Sequence, residues 1–199
     1  PCKLENLPQE YKDETNFETV FVDLDIKPLP ALTAWLTGES YHVKRFINQQ
    51  MKNKLAEILR KEEFDIVQME SIFLTPYVPL VRKLSKAKIV LRSPNVENMI
   101  WKRTYKATKN PLKRYYLKHL ALTLEYYEKE NINQYDAIFP VTDVDASYFI
   151  ENGYRKLCKA VAVGIETPEF IPDVLEEENS IFHIGSMNWF PNEQGIKWF

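Results

Sequence analysis

Short β-rich runs alternate with amphipathic helical stretches along this 199-residue chain, and that alternation restricts its fold more than any other feature. From Tyr41 to Lys61, Val43, Phe46, Ile47, Met51, Leu55, Ile58 and Leu59 recur at spacings of three and four, which places them on one helical face. A β-rich run from Phe64 to Glu70 follows, then a helical stretch through Tyr77, Leu80, Val81 and Leu84, then a second run from Lys88 to Arg92. The region from about Val96 to Tyr135 reads as one helix, or as two broken at Asn110-Pro111, because proline lacks a backbone donor and disfavours helix in the residue before it. Asp136 to Val141 reads as a strand, Asp143 to Asn152 as a helix ended by Gly153, and Leu157 to Val163 as a further strand. Upstream, Phe17 to Asp25 alternates Val20, Val22 and Leu24 with other residues and is expected to form a strand, ended by a Pro28-Leu29-Pro30 turn. Strands separated by helices of this length need crossover connections, so the expected class is α/β: a doubly wound, mostly parallel sheet covered on both faces.

Composition narrows the function. With 26 basic and 28 acidic side chains the net charge is −2, which argues against a nucleic-acid binder, since such a domain carries a basic excess. Five glycines stand where average usage of about 7 % would give roughly fourteen, and no G-x-G-x-x-G or phosphate-binding P-loop can be written from them. Cys2 and Cys158 are too few for a disulfide framework or a zinc site, which favours a reducing compartment, and we expect a cytoplasmic protein. No apolar run reaches the roughly 18 to 20 residues that span a bilayer. His42, His119 and His183 share no metal-ligand spacing, so neither metal nor cofactor is expected.

Pro168, Pro172 and the acidic run Glu176 to Glu178 read as a linker over residues 171–179 between a first domain, 1–170, and the start of a second, 180–199. The second would open with a strand from Ser180 to Gly185 and a helix near Asn192. The start at Pro1 and the amphipathic close on Ile196 to Phe199 read as those of a piece of a longer polypeptide.

In open parallel sheets ligands bind beyond the carboxyl ends of the strands, where loops converge and helix N-termini present free N–H groups. The residues at those tips are Glu70 and Ser71; Arg92, Ser93, Pro94, Asn95 and Glu97; Thr142, Asp143 and Asp145; and Gly164 and Glu166. Structural roles are open for several. Thr142 and Asp143 suit a helix N-cap, Asn95 and Glu97 suit a cap and a first-turn acid, and Arg92 could pair with Glu70 or Glu97. Between Glu97 and Glu125 the chain has no acid, whereas Lys102, Arg103, Lys106, Lys109, Lys113, Arg114 and Lys118 occur among Trp101, Tyr105, Tyr115 and Tyr116. That segment is either a patch for an anionic membrane surface or a solvated basic face with its aromatics turned inward.

Four ordered strings carry a resemblance. Arg92-Ser93-Pro94-Asn95-Val96-Glu97 through Trp101 resembles the R-x-H-N-V-E-x-x-x-W stretch of family-four retaining glycosyltransferases, which have the GT-B architecture of two Rossmann-like domains. Tyr135 to Asp145 is similar to that family's strand and helix start, and Val163-Gly164-Ile165-Glu166 to the string that closes its N-terminal domain. Ile184-Gly185-Ser186-Met187-Asn188-Trp189-Phe190-Pro191-Asn192 is similar to the string that opens its C-terminal domain. The resemblance covers the chain from about Asp65 to Phe199 and departs at Pro94, where the family has histidine.

The resemblance implies sugar transfer from a nucleotide-sugar donor to a glycan or lipid-linked acceptor, with retention of configuration and without a metal. It implies Asn95 and Glu97 as catalytic residues, Glu70, Arg92, Thr142 and Gly164 around the acceptor cleft, and Gly185, Ser186, Asn188 and Asn192 on the donor side. It places the family's first strand before Pro1 and most donor-binding residues after Phe199, so the isolated chain is expected to be inactive. Lys102, Arg103, Lys106, Lys113 and Arg114 would face the membrane. The competing expectation, which Pro94 favours, is a non-catalytic ligand-binding protein on a similar scaffold.

Overall fold

A computed structural model describes residues 15–164, 181–187 and 190–199, together with Gln9 and Asp13. The described chain divides into two compact units, residues 1–163 and 164–199. In the first, four strands form one all-parallel sheet in sequence order: β1 (Ile66–Met69), β2 (Lys88–Ser93), β3 (Ala137–Pro140) and β4 (Leu157–Cys158). Ahead of the sheet come α1 (Pro28–Thr37), the single turn α2 (Tyr41–Lys44) and α3 (Gln49–Lys61). A 3₁₀ segment, Ile72–Tyr77, and α4 (Val78–Leu84) connect β1 to β2. The pair α5 (Glu97–Ala107) and α6 (Pro111–Asn131) connects β2 to β3, and α7 (Asp143–Glu151) connects β3 to β4. The α/β class and the parallel sheet flanked by helices are as expected.

Register explains the core. Val67 pairs with Ile89, Met69 with Leu91, and Leu91 with Ile138, so these five side chains share one sheet face. That face carries the main core, with Leu59 of α3, Val78 and Val81 of α4, Ile132 and Phe149 packed into it. The opposite face is not fully covered: Ile66 is 59 % exposed and Gln68 is also exposed, so the expectation of a sheet buried on both faces fails at β1. A second cluster joins Ala31 and Ala34 of α1 to Tyr41, Leu117 and Leu120.

Several expected elements differ. Phe17 to Asp25 forms no strand: two of its carbonyls bond to side chains instead of a neighbouring strand, with Asn48 Nδ2 donating to Phe21 O at 3.3 Å and Arg45 donating to Leu24 O. The alternation survives in burial, with Val20 and Val22 half-buried among exposed neighbours. Pro28 to Pro30 opens α1 rather than making a turn, as proline's fixed φ and missing N–H suit a first helical turn. The helix expected over Tyr41 to Lys61 breaks before Asn48, whose backbone N–H donates to Tyr77 Oη at 2.9 Å while its side chain accepts from Met51 N at 3.1 Å and caps α3.

The break at Asn110-Pro111 is observed: Asn110 Oδ1 accepts from Lys113 N at 3.0 Å and caps α6. Gly153 ends α7's turn at φ +100°, a conformation that favours glycine. The last strand is only Leu157–Cys158; Lys159 N and Val161 N still bond to Ile138 O and Pro140 O, but strand geometry stops there.

In the second unit residues 181–184 are exposed and form no strand, contrary to expectation. The helix near Asn192 is present as α8 (Phe190–Trp198), with Glu193 and Lys197 paired one turn apart. The linker over 171–179 lies outside the described residues.

Candidate functional site

Adjacent parallel strands end together, so the sheet itself gathers residues that are far apart in sequence. At the β2 tip Arg92 Nη1 pairs with Glu70 Oε2 at 3.0 Å, across the end of β1. Glu70 also accepts from Gln68 Nε2. Of the two pairings open to Arg92, the one with Glu70 is formed. The pair leaves a half-buried guanidinium beside an exposed carboxylate, an arrangement that can still accept an anionic or hydroxyl-rich ligand.

Ser93 is buried, and its Oγ donates to Asn95 O at 2.7 Å, which turns the chain sharply after the strand. Pro94 and Asn95 are exposed on that turn, and Glu97 follows as the first residue of α5. Glu97 is half-buried, and desolvation pushes its carboxyl above the usual range. At the next tip Thr142 caps α7: its Oγ1 accepts from Asp145 N at 3.1 Å and donates to Asp145 Oδ2 at 2.8 Å. Its structural role is therefore filled, while its position beside the β2 tip is retained.

Between α5 and α7 lies a cleft of about 210 Å³. Val96, Met99, Ile100 and Val144 give it apolar walls, and Asn95, Arg103, Asp145 and Tyr148 supply polar groups. It offers hydrogen bonds of both senses and one exposed cation, which suits a polyhydroxylated ligand with an apolar face. A larger hollow, about 850 Å³, is bordered by Ile66 and Lys88 at the amino ends of β1 and β2, away from the strand tips where these polar residues converge.

Sequence reasoning missed the most buried polar group beside this cleft. Asn98 of α5 is completely buried, Glu128 of α6 is 2 % exposed, and the two are hydrogen-bonded. Asn98 Nδ2 also donates to Tyr148 Oη of α7 at 2.7 Å. Burial pushes the Glu128 carboxyl up to about 7, opposed by its bonds from Asn98, and pushes the Tyr148 hydroxyl up to about 12. The available signal was Glu128 itself, a carboxylate placed where the stripe Leu117, Leu120, Ala121, Leu124 calls for an apolar side chain.

No protein-family model, curated protein or solved structure matches this chain. Among the described residues no group of three or more His, Cys, Asp or Glu side chains could hold a metal ion.

The remaining candidates divide. Arg103, Lys106, Lys113 and Arg114 are exposed, but Lys102 is tied to Glu125 at 2.8 Å. Trp101, Tyr105 and Tyr116 pack against the second core cluster, so the inward reading holds for them; Tyr115 remains 67 % exposed. No helix among the described residues is long and apolar enough to cross a membrane. Gly164 opens the second unit and is exposed. Within that unit Asn192 Nδ2 donates to Ser186 O at 3.1 Å, and a Cβ on Gly185 would lie 2.6 Å from that same Nδ2, so a side chain there would have to displace it. Asn188 lies outside the described residues.

Proposed function

We propose that this chain is the acceptor-side domain, with the opening of the donor-side domain, of a GT-B, family-four-like retaining glycosyltransferase. The observation that supports this best is the position of the Arg92-to-Glu97 string, the one most like the family's, at the carboxyl end of an inner parallel strand beside a ligand-sized cleft. In this reading Asn95 and Glu97 act at the reacting sugar, Arg92, Glu70 and Thr142 of the first unit bind the acceptor, Gly164 of the second unit is assigned to the acceptor as well, and Gly185, Ser186, Asn188 and Asn192 belong to the donor side. A departing nucleoside diphosphate gains negative charge, which N–H donors and cations fixed in advance stabilise without a metal. The acceptor is a glycan or a lipid-linked sugar. Exposed Arg103, Lys106, Lys113 and Arg114 would hold the domain on an anionic, cytoplasmic membrane face, and binding to anionic liposomes that fades with salt is the expected result.

The test is release of nucleoside diphosphate from uridine, guanosine and adenosine diphosphate sugars by the full-length polypeptide carrying this sequence, with the 199-residue chain as control. Release by the full-length protein alone is expected. A folded full-length protein that releases nothing from any donor, and gains nothing from Pro94→His, would move the assignment to the second reading. That reading, a binding protein on the same scaffold, is favoured by one observation: exposed Pro94 stands where the family places histidine and can neither donate nor accept through its side chain.

A further inference from the structure

We propose that Glu128 is a positioning residue: reaching across from α6, its carboxylate caps the N-terminus of α5 and so holds Asn95 and Glu97 at the carboxyl end of β2. The role given to Asn95 and Glu97 rests on the glycosyltransferase reading; the cap itself does not.

An α-helix leaves its first N–H groups without partners inside the helix, and the residue before it usually supplies an acceptor. At α5 that residue is Val96, whose side chain can accept nothing. Glu128 fills the gap from thirty residues away. Its Oε1 accepts from Asn98 N at 3.3 Å and its Oε2 accepts from Asn98 Nδ2. Because Asn98 Nδ2 also donates to Tyr148 Oη, one buried carboxylate ties α6, the start of α5 and α7 together between the β2 and β3 tips.

The surroundings show that Glu128 is not there for packing. It continues the stripe of Leu117, Leu120 and Leu124, where a leucine would avoid the penalty of burying a charge. The groups facing it are Glu97 and Asn98 of α5 and Tyr148 of α7, with Glu125 one turn back on its own helix and already held by Lys102 and Lys129. No Lys or Arg among the described residues forms an ion pair with Glu128. The burial of its charge is offset in part by the Asn98 donors and by the positive end of α5, which is the interaction of a cap.

Two variants of the full-length protein test this. In Glu128→Gln the amide oxygen keeps the Asn98 N–H, and a flipped Asn98 can accept from the new NH₂ through Oδ1, so the cap survives without charge. Glu128→Leu packs but cannot cap. Hydrogen exchange at the Asn98 amide is expected to accelerate about 10- to 100-fold in the leucine variant, the range for losing a bond to a charged group, with Leu91 in β2 unchanged. The glutamine variant should stay within about threefold of wild type, on the scale of a few tenths of a kcal/mol for a surviving neutral bond. In nucleotide release the leucine variant should lose at least about tenfold in kcat with KM for the donor little changed, rescued by glutamine. Wild-type exchange at Asn98 in the leucine variant would overturn the proposal, as would a glutamine variant that is folded yet as fast-exchanging as leucine. Should the leucine variant unfold, Glu128→Asp, one methylene shorter, is read at the same amide with the same expectation. If the wild-type protein releases no nucleotide, the glycosyltransferase reading fails while the exchange data still decide the cap.

Discussion

Near pH 5.5 two buried groups pull the stability of this fold in opposite directions. His42 lies against Trp101 at 4.0 Å between ring centroids, with its Nε2 unpartnered and Arg45 nearby, and desolvation takes it from 6.5 to about 4. The unfolded chain binds a proton there that the folded chain refuses, so His42 withdraws stability as pH falls from about 6.5 to about 4. Glu128 does the reverse. Its folded value, about 7, lies above the ordinary 4.5, so the folded chain holds the extra proton and stability is lost as pH rises from about 4.5 to about 7. Each gap is about 2.5, and at 1.36 kcal/mol per pH decade each contribution is about 3 kcal/mol. The partly buried His119 and Glu97 add in the same two directions. Urea unfolding from pH 4.5 to 7.5 should therefore show a nearly level profile for wild type. Glu128→Gln should expose the histidine limb and lose about 3 kcal/mol on acidification, whereas His42→Phe should expose the carboxylate limb and gain about 3 kcal/mol over the same range. Any constant packing cost of either substitution shifts the whole profile and leaves its slope unchanged. Two variants with wild-type slopes would refute the burial argument for both groups.

Two further outcomes follow from the same geometry. Arg92→Ala should change stability by no more than about 1 kcal/mol, because its partner Glu70 is exposed, and, on the proposed glycosyltransferase reading, reduce nucleotide release by the full-length protein by at least about tenfold; a large loss of stability with normal release would reverse the assignment. Tyr135→Phe should cost about 1 to 2 kcal/mol by thermal or urea unfolding, since Tyr135 Oη and Thr75 Oγ1 are 2.6 Å apart and both residues are at most 1 % exposed.

Local chemistry made much of this fold legible. The break at Asn110-Pro111, the cap at Thr142 and the stop at Gly153 each depend on one or two adjacent residues with few alternatives, and each is where sequence placed it. What failed depended on partners. Phe17 to Asp25 has the alternation of a strand, but a strand exists only if a neighbour takes its carbonyls, and here Asn48 and Arg45 do. Residues 181–184 fail for the same reason, since no strand among the described residues pairs with them. The helix across Tyr41 to Lys61 had a continuous apolar face, yet the Tyr77 hydroxyl, 29 residues beyond Asn48, captures the Asn48 N–H and ends the run. Periodicity reports which face of a segment is buried; it does not report which distant atom claims a backbone group.

The candidate site divides along the same line. Arg92, Asn95 and Glu97 could be nominated from one string and the rule that ligands gather at strand ends. The group that fixes them could not, because Glu128 sits on another helix. It was visible only as a fault in the pattern, an acid continuing an apolar stripe. Such a fault has two physical outcomes: the acid turns out to solvent and distorts the packing, or it stays inside and something must supply donors. One backbone amide at an uncapped helix start and one asparagine side-chain amide are that supply here. A carboxylate on the buried face of one helix, together with a neighbouring helix whose own N-cap position cannot accept a hydrogen bond, is therefore a pair of sequence observations worth reading jointly. In this chain Glu128 and Val96 are that pair, and each accounts for the other.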